Sequence, residues 1–154
     1  MNIDLNKLES LELRLVQADS AVEHLKQQVS DRRRYVLETR RIAVLTAERS
    51  GLPRSLMNLG PRRASAFISA FESDRTNFLA RAEAAAPGDI VVDRLRDLAA
   101  ALEAADSAEQ QLAEAEMRRD GLAHTCRTLR EFVRQANGAG GPTVPLPTAS
   151  GVIA

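Results

Sequence analysis

Residues 4–48 read DLNKLESLELRLVQADSAVEHLKQQVSDRRRYVLETRRIAVLTAE, with no Pro or Gly to end a helix. Apolar residues recur every seven positions, at Leu8, Leu15, Val22, Val29, Val36 and Ala43. Leu11, Ala18 and Leu25 sit three residues after the first three of these. Alternating spacings of three and four put both series on one seam of a helix, as in a coiled coil. The second series then becomes Arg32, Thr39 and Thr46, so the seam is regular for about three heptads and degrades afterwards. Beyond it, Tyr35, Val36, Ile42, Ala43 and Leu45 make a broader face, closer to globular helix packing. A helix over 4–48 would be about 65–70 Å long, so an elongated molecule is expected.

Working outward, Asp4 is placed to cap this helix, and Ser50-Gly51-Leu52-Pro53 to end it. Pro61 suits the first turn of a middle helix running to about Ala86. Its stripe is Ala64, Phe67, Ile68, Phe71, Phe78, Leu79 and Ala82. That face either packs as a small head on the long helices or stays open for a partner helix. Pro87-Gly88-Asp89 restarts the chain, with Asp89 as N-cap of a third helix over 90–137. The stripe of this helix runs Val91, Leu95, Leu98, Leu102, Ala105, Leu112, Ala115, Leu122, Cys126, Leu129 and Val133. Glu109 and Arg119 interrupt it, and Asp120-Gly121 is the point where a bend or fraying is expected. From Gly138 the chain is rich in Gly, Pro, Ser and Thr, which predicts a flexible tail. The expected fold is therefore all-α: a long antiparallel two-helix coiled-coil hairpin over 1–137 (helix 4–48, head 52–86, helix 90–137), then a tail over 138–154.

Charge supplies the direction of pairing. From Arg32 to Arg63 there are nine arginines against two acids, and from Glu83 to Glu116 nine acids against two arginines. Antiparallel long helices would lay these blocks side by side. The acid-rich start (Asp4, Glu9, Glu12, Asp19, Glu23) would then lie beside Arg118, Arg119, Arg127, Arg130 and Arg134. Exposed pairs are worth only about 0–1 kcal/mol each, so they select register more than they stabilise.

Composition narrows the function classes. Aromatics are 3% of the chain and Trp is absent, which suits a Leu, Val and Ala seam better than a wide core. Twenty-one basic and twenty-one acidic residues cancel, which argues against a general nucleic-acid binder. Cys126 is alone, so no intramolecular disulfide forms, in keeping with a reducing compartment. The start of the sequence lacks the basic and apolar regions of a secretion signal, and no run reaches the ~20 apolar residues of a membrane span. His24 and His124 have no clustered ligands, and no Gly-rich loop follows a strand, so no metal, cofactor or catalytic site is expected. The candidate partner-binding residues are Arg32, Arg33, Arg34, Arg40, Arg41, Arg62 and Arg63, with the rings of Phe67, Phe71 and Phe78.

The seam Leu8, Leu11, Leu15, Val22, Leu25 and Val29, with the returning helix up to Val133, resembles the coiled-coil stalk proteins of type III and flagellar export, the FliJ and YscO group. The resemblance covers residues 1 to about 137 and includes overall length and the abundance of Ala, Arg and Glu. It implies a cytoplasmic rod, peripheral to a membrane-bound machine, that inserts into a hexameric export ATPase and contacts the export gate or chaperones. Two alternatives stand beside this non-enzymatic adaptor. One is a phage or mobile-element structural or chaperone protein, or a secreted helical factor, which regular oligomerisation through the phenylalanine face would favour; in any of these roles the chain is either a monomer or a homodimer. The other is a nucleic-acid-associated regulator using the Arg32–Arg63 stretch, since arginines near Tyr35 suit phosphates and bases.

Overall fold

The first helix, α1, spans Asn2–Ser50 in a computed structural model that describes residues 2–140. It starts ahead of Asp4, which lies inside the helix rather than at its cap. It ends where Gly51 takes φ +73°, a left-handed conformation that a residue with a side chain adopts only at a cost. Pro53 then runs extended into a 3-10 turn, Arg54–Leu56. Two short helices follow, α2 (Ala64–Ser73) and α3 (Arg75–Ala85), and a last long one, α4 (Ile90–Gly140). No strand occurs among the described residues. The expected tail lies outside them from 141 onward, and α4 runs three residues past its expected end at Asn137.

The single middle helix expected over 61–86 is two helices. Arg63, not a residue before Pro61, stands at the start of α2, with φ −73° and ψ 130°. The chain breaks again at Asp74 (φ −150°, ψ 58°), whose carboxylate accepts from Asn77 Nδ2 at 3.3 Å. The reason is aromatic packing. On one straight helix Phe67 and Phe78 would stand roughly 16 Å apart along the axis. The break brings their rings to 5.1 Å, edge to face, and Phe71 to 5.8 Å from Phe78.

The restart at Asp89 follows expectation. Gly88 takes φ +80°, and Asp89 Oδ1 accepts the Val91 N–H at 2.8 Å, capping α4. Helix α4 then continues unbroken through Gly121, whose carbonyl accepts from Thr125 Oγ1 at 2.9 Å. The helix is not interrupted at Asp120-Gly121, where a bend or fraying was expected.

The chain forms two units, Leu25–Gln111 and Met1–His24 with Leu112–Ala154. The first holds one thick core. Ala43 and Ala47 of α1 meet Leu56 of the 3-10 turn, Phe67, Ile68 and Phe71 of α2, Phe78 and Ala82 of α3, and Val91, Val92, Leu95 and Leu98 of α4. Thr39, a polar residue in the seam, is buried with its hydroxyl donating to the Tyr35 carbonyl at 2.8 Å. That local bond satisfies the hydroxyl without a partner from another helix. The second unit is thinner. Its buried residues are Leu11 and Val22 of α1 and Ala115, Cys126 and Val133 of α4, flanked by half-buried Leu8, Leu15, Leu112, Leu122 and Leu129.

Candidate functional site

The arginines between 32 and 63 divide into two groups. Arg33 meets Glu109 at 2.7 Å, Arg34 meets Asp31 at 3.5 Å, and Arg41 meets Glu38 at 2.6 Å. Arg40 grips both oxygens of Glu72 through Nε at 3.0 and 3.2 Å and donates to Ser69 Oγ at 2.9 Å. Its side chain and that of Glu72 are half-buried, which makes this the best-shielded ion pair in the unit. The hydrogen bond from Arg41, and then its charge, hold the Glu38 carboxyl below the usual glutamate range. By contrast Arg32, Arg49, Arg54, Arg62 and Arg63 are exposed and have no acidic partner among the described residues.

The acidic block does not neutralise the basic one in the way the charge pattern predicts. Among the described residues, α1 and α4 meet across these blocks at Arg33–Glu109 alone. Asp97 pairs with Arg94 on its own helix, and Arg96 holds both Asp93 and Glu83. Asp106 is taken by Arg75 of α3. The physical reason is proximity. An arginine three residues away on the same helix competes with any partner across the seam.

The three candidate phenylalanines lie in the core, with Phe67 and Phe71 fully buried and Phe78 at 2% exposure. In this fold they hold α2 and α3 together and offer no ring to a partner. The segment before α2 is packed on them. A Cβ at Gly60 would stand 3.4 Å from the Ala70 Cβ, 3.5 Å from the Phe78 ring and 3.6 Å from the Phe67 ring. Arg81, absent from the sequence-derived candidates, lies over the Phe78 ring at 5.8 Å. Its position three residues after Phe78 is the sequence signal that places it there.

Five exposed arginines without a carboxylate partner among the described residues belong to the elements around these contacts. Arg49 comes from the last turn of α1, Arg54 from the 3-10 turn, Arg62 and Arg63 from the segment before α2, and Arg81 from α3. Exposed Met57 and half-buried Leu52 and Leu59 lie in the same linker. Asp89 caps α4, and Glu83 and Asp93 hold Arg96.

Comparison with protein-family models, curated proteins and solved structures gave no match.

The smaller unit carries a different surface. A shallow groove of about 360 Å³ is lined by Lys7, Leu11, His124, Thr128, Leu129 and Phe132. Phe132 is 56% exposed because it falls between the stripe positions, half-buried Leu129 and buried Val133, and the polar face. Among the described residues no helix is long and apolar enough to cross a membrane, and no three His, Cys, Asp or Glu side chains converge as metal ligands would.

Proposed function

We propose that the chain is an antiparallel two-helix coiled-coil hairpin with α2 and α3 as its head, working as a non-enzymatic protein-binding stalk or adaptor. The observation that carries this reading is the set of ion pairs between the long helices. Glu12 meets Arg130 at 2.6 Å and Asp19 approaches Arg119 at 4.0 Å in the smaller unit, and Arg33 meets Glu109 in the larger. Positions rising along α1 meet positions falling along α4, as an antiparallel seam requires. Glu109 and Arg119 are also the two residues that interrupt the apolar stripe of α4, and each is used for a pair with α1.

The preferred setting is a type III export machine, with a hexameric ATPase as the protein partner and the export gate as a second contact. A hairpin of two helices with a narrow apolar seam has the build for insertion into a ring, and the stripe of α4 after Leu98 holds Leu, Ala, Cys and Val but no aromatic residue, which keeps that seam slim. Small-angle scattering with light-scattering mass tests the hairpin. A monomer about 70 Å long is expected, whereas a dimer of about 140 Å would mean that the helices pair between chains. Co-purification with an export ATPase and stimulation of its hydrolysis test the setting. A hairpin that neither binds nor stimulates such an ATPase would leave the adaptor reading without its machine.

A further inference from the structure

We infer that the groove of the smaller unit around Phe132 is the docking site of this chain's own segment beyond α4, residues 141–154, with Leu146 on the exposed ring and Val144 beside it. The inference stands on the groove and on the sequence that follows α4, and is independent of the export setting.

Phe132 is the one phenylalanine of four that the fold leaves exposed; Phe67, Phe71 and Phe78 are buried. Its ring lines two depressions of the smaller unit, of about 360 and 490 Å³, which also share His124 and Thr128. Leu11 of α1 and Leu129 of α4 make the first of them apolar. Glu131, the one acid on the two linings, already accepts from Arg134 and Gln135. Lys7 on the first lining and Arg127 on the second are exposed and bring N–H donors. Apolar surface edged by donors suits an apolar segment that is rich in acceptors.

The sequence after Gly140 has that chemistry. It reads GPTVPLPTASGVIA, with no charged residue. Pro142, Pro145 and Pro147 lack an N–H, so the segment carries more carbonyl acceptors than backbone donors. Prolines at this density favour an extended polyproline conformation, which docks on aromatic-lined grooves at a low cost in entropy.

The distances also fit. Helix α4 ends at Gly140, eight residues and about 12 Å past Phe132. Gly141-Pro142 is a turn dipeptide and supplies the reversal. Residues 143–146 then span about 12 Å at ~3.1 Å per residue, which brings Leu146 level with the ring. A tether this short holds the segment at an effective concentration on the order of millimolar, which favours it over a free partner of similar chemistry.

The test is NMR of the full chain together with binding of a fluorescent peptide of sequence 141–154. Nuclear Overhauser contacts are expected between the Leu146 methyls and the Phe132 ring. Val144→Ser with Leu146→Ser should remove them and shift the resonances of the Phe132 ring and the Leu11 methyls. The same double variant leaves the groove open, so it should bind the added peptide at least about ten-fold more tightly than the wild-type chain does. Phe132→Ser added to that variant should abolish peptide binding. Circular dichroism should show unchanged helix content, since Phe132 is exposed and the other two serines lie beyond α4. No contact with the ring in the wild-type chain, equal peptide affinity in the wild-type and double-variant chains, or binding that survives Phe132→Ser would each overturn the inference. Contacts seen only between differently labelled chains would overturn it as well, by giving the groove to the segment of a second copy.

Discussion

The two units are made from the same two long helices and are stabilised differently. In the larger unit α2, α3 and the 3-10 turn add Leu56 and three phenylalanines to the side chains of α1 and α4, and most of the largest fully buried residues are found there. In the smaller unit the buried positions are chiefly Leu, Val, Ala and Cys from two helices, with Leu13, Val16, Met117 and Phe132 left exposed. A third layer changes how much apolar surface each helical turn removes from water, and at about 25 cal/mol per Å² that sets local stability. The larger unit is expected to be the last to open and the smaller one the first to exchange its amide protons.

The sharpest way to break this contrast is truncation of the core. Phe71→Ala should cost about 3–5 kcal/mol, whereas Val22→Ala in the smaller unit should cost about 1–3 kcal/mol. Urea unfolding with hydrogen exchange read residue by residue checks both. Equal losses would mean that the two units share one cooperative core.

Glycines come next. Gly51 has φ +73° and open space around its Cβ position, so Gly51→Ala should destabilise by about 1–2 kcal/mol through backbone conformation alone. Gly121 is helical with equally open space, so Gly121→Ala should stabilise the smaller unit by about 0.5–1 kcal/mol. Thermal melts of the two variants should therefore shift in opposite directions.

A smaller effect separates the ion pairs. Arg40 with Glu72 is half-buried, and loss of Arg40 should cost about 1–2 kcal/mol in a double-mutant cycle with Glu72→Gln. Arg130 with Glu12 is more exposed and should couple by less than about 1 kcal/mol, falling further at high salt.

The smallest effect is in acid, and it should not distinguish the units. Glu38 in one and Glu131 in the other are both held below the ordinary glutamate range, chiefly by hydrogen bonds from Arg41 and Arg134. A lowered folded-state value means that the contribution is complete above the unfolded pKa and fades as pH falls through the lowered one. Carboxyl chemical shifts followed by NMR should titrate late at both positions. A normal titration at Glu38 alone would mean that its pair with Arg41 does not persist in solution.

Much of this architecture was legible in local chemistry. The heptad positions Val22, Val29 and Ala43 are buried, as are Val91, Leu95, Leu98, Ala105, Ala115, Cys126 and Val133 of the returning stripe. Periodicity identifies them because a helix presents every third or fourth residue on one face whatever it packs against. The stop at Gly51 and the cap at Asp89 are equally local. The break at Asp74 was not legible, because the helical stripe runs straight through it and only the mutual packing of three rings favours the bend. Val92, Ala101 and Ala108 are buried beyond the expected stripe, since neighbouring elements cover more of α4 than one seam would.

The same division holds for the candidate site. Sequence by itself determined that arginines crowd between 32 and 63, because composition is countable without a fold. It could not say which would be matched. An ion pair needs two side chains within about 4 Å, and that depends on which helix faces which and on partners one turn away. Tertiary structure made that choice. It bound Arg33 and Arg40 to acids far along the chain, drew Arg75 to Asp106, and left Arg49, Arg54, Arg62 and Arg63 facing solvent. It also closed the phenylalanine face that the spacing alone left open, because three rings lose more contact with water by meeting one another than by waiting for a partner.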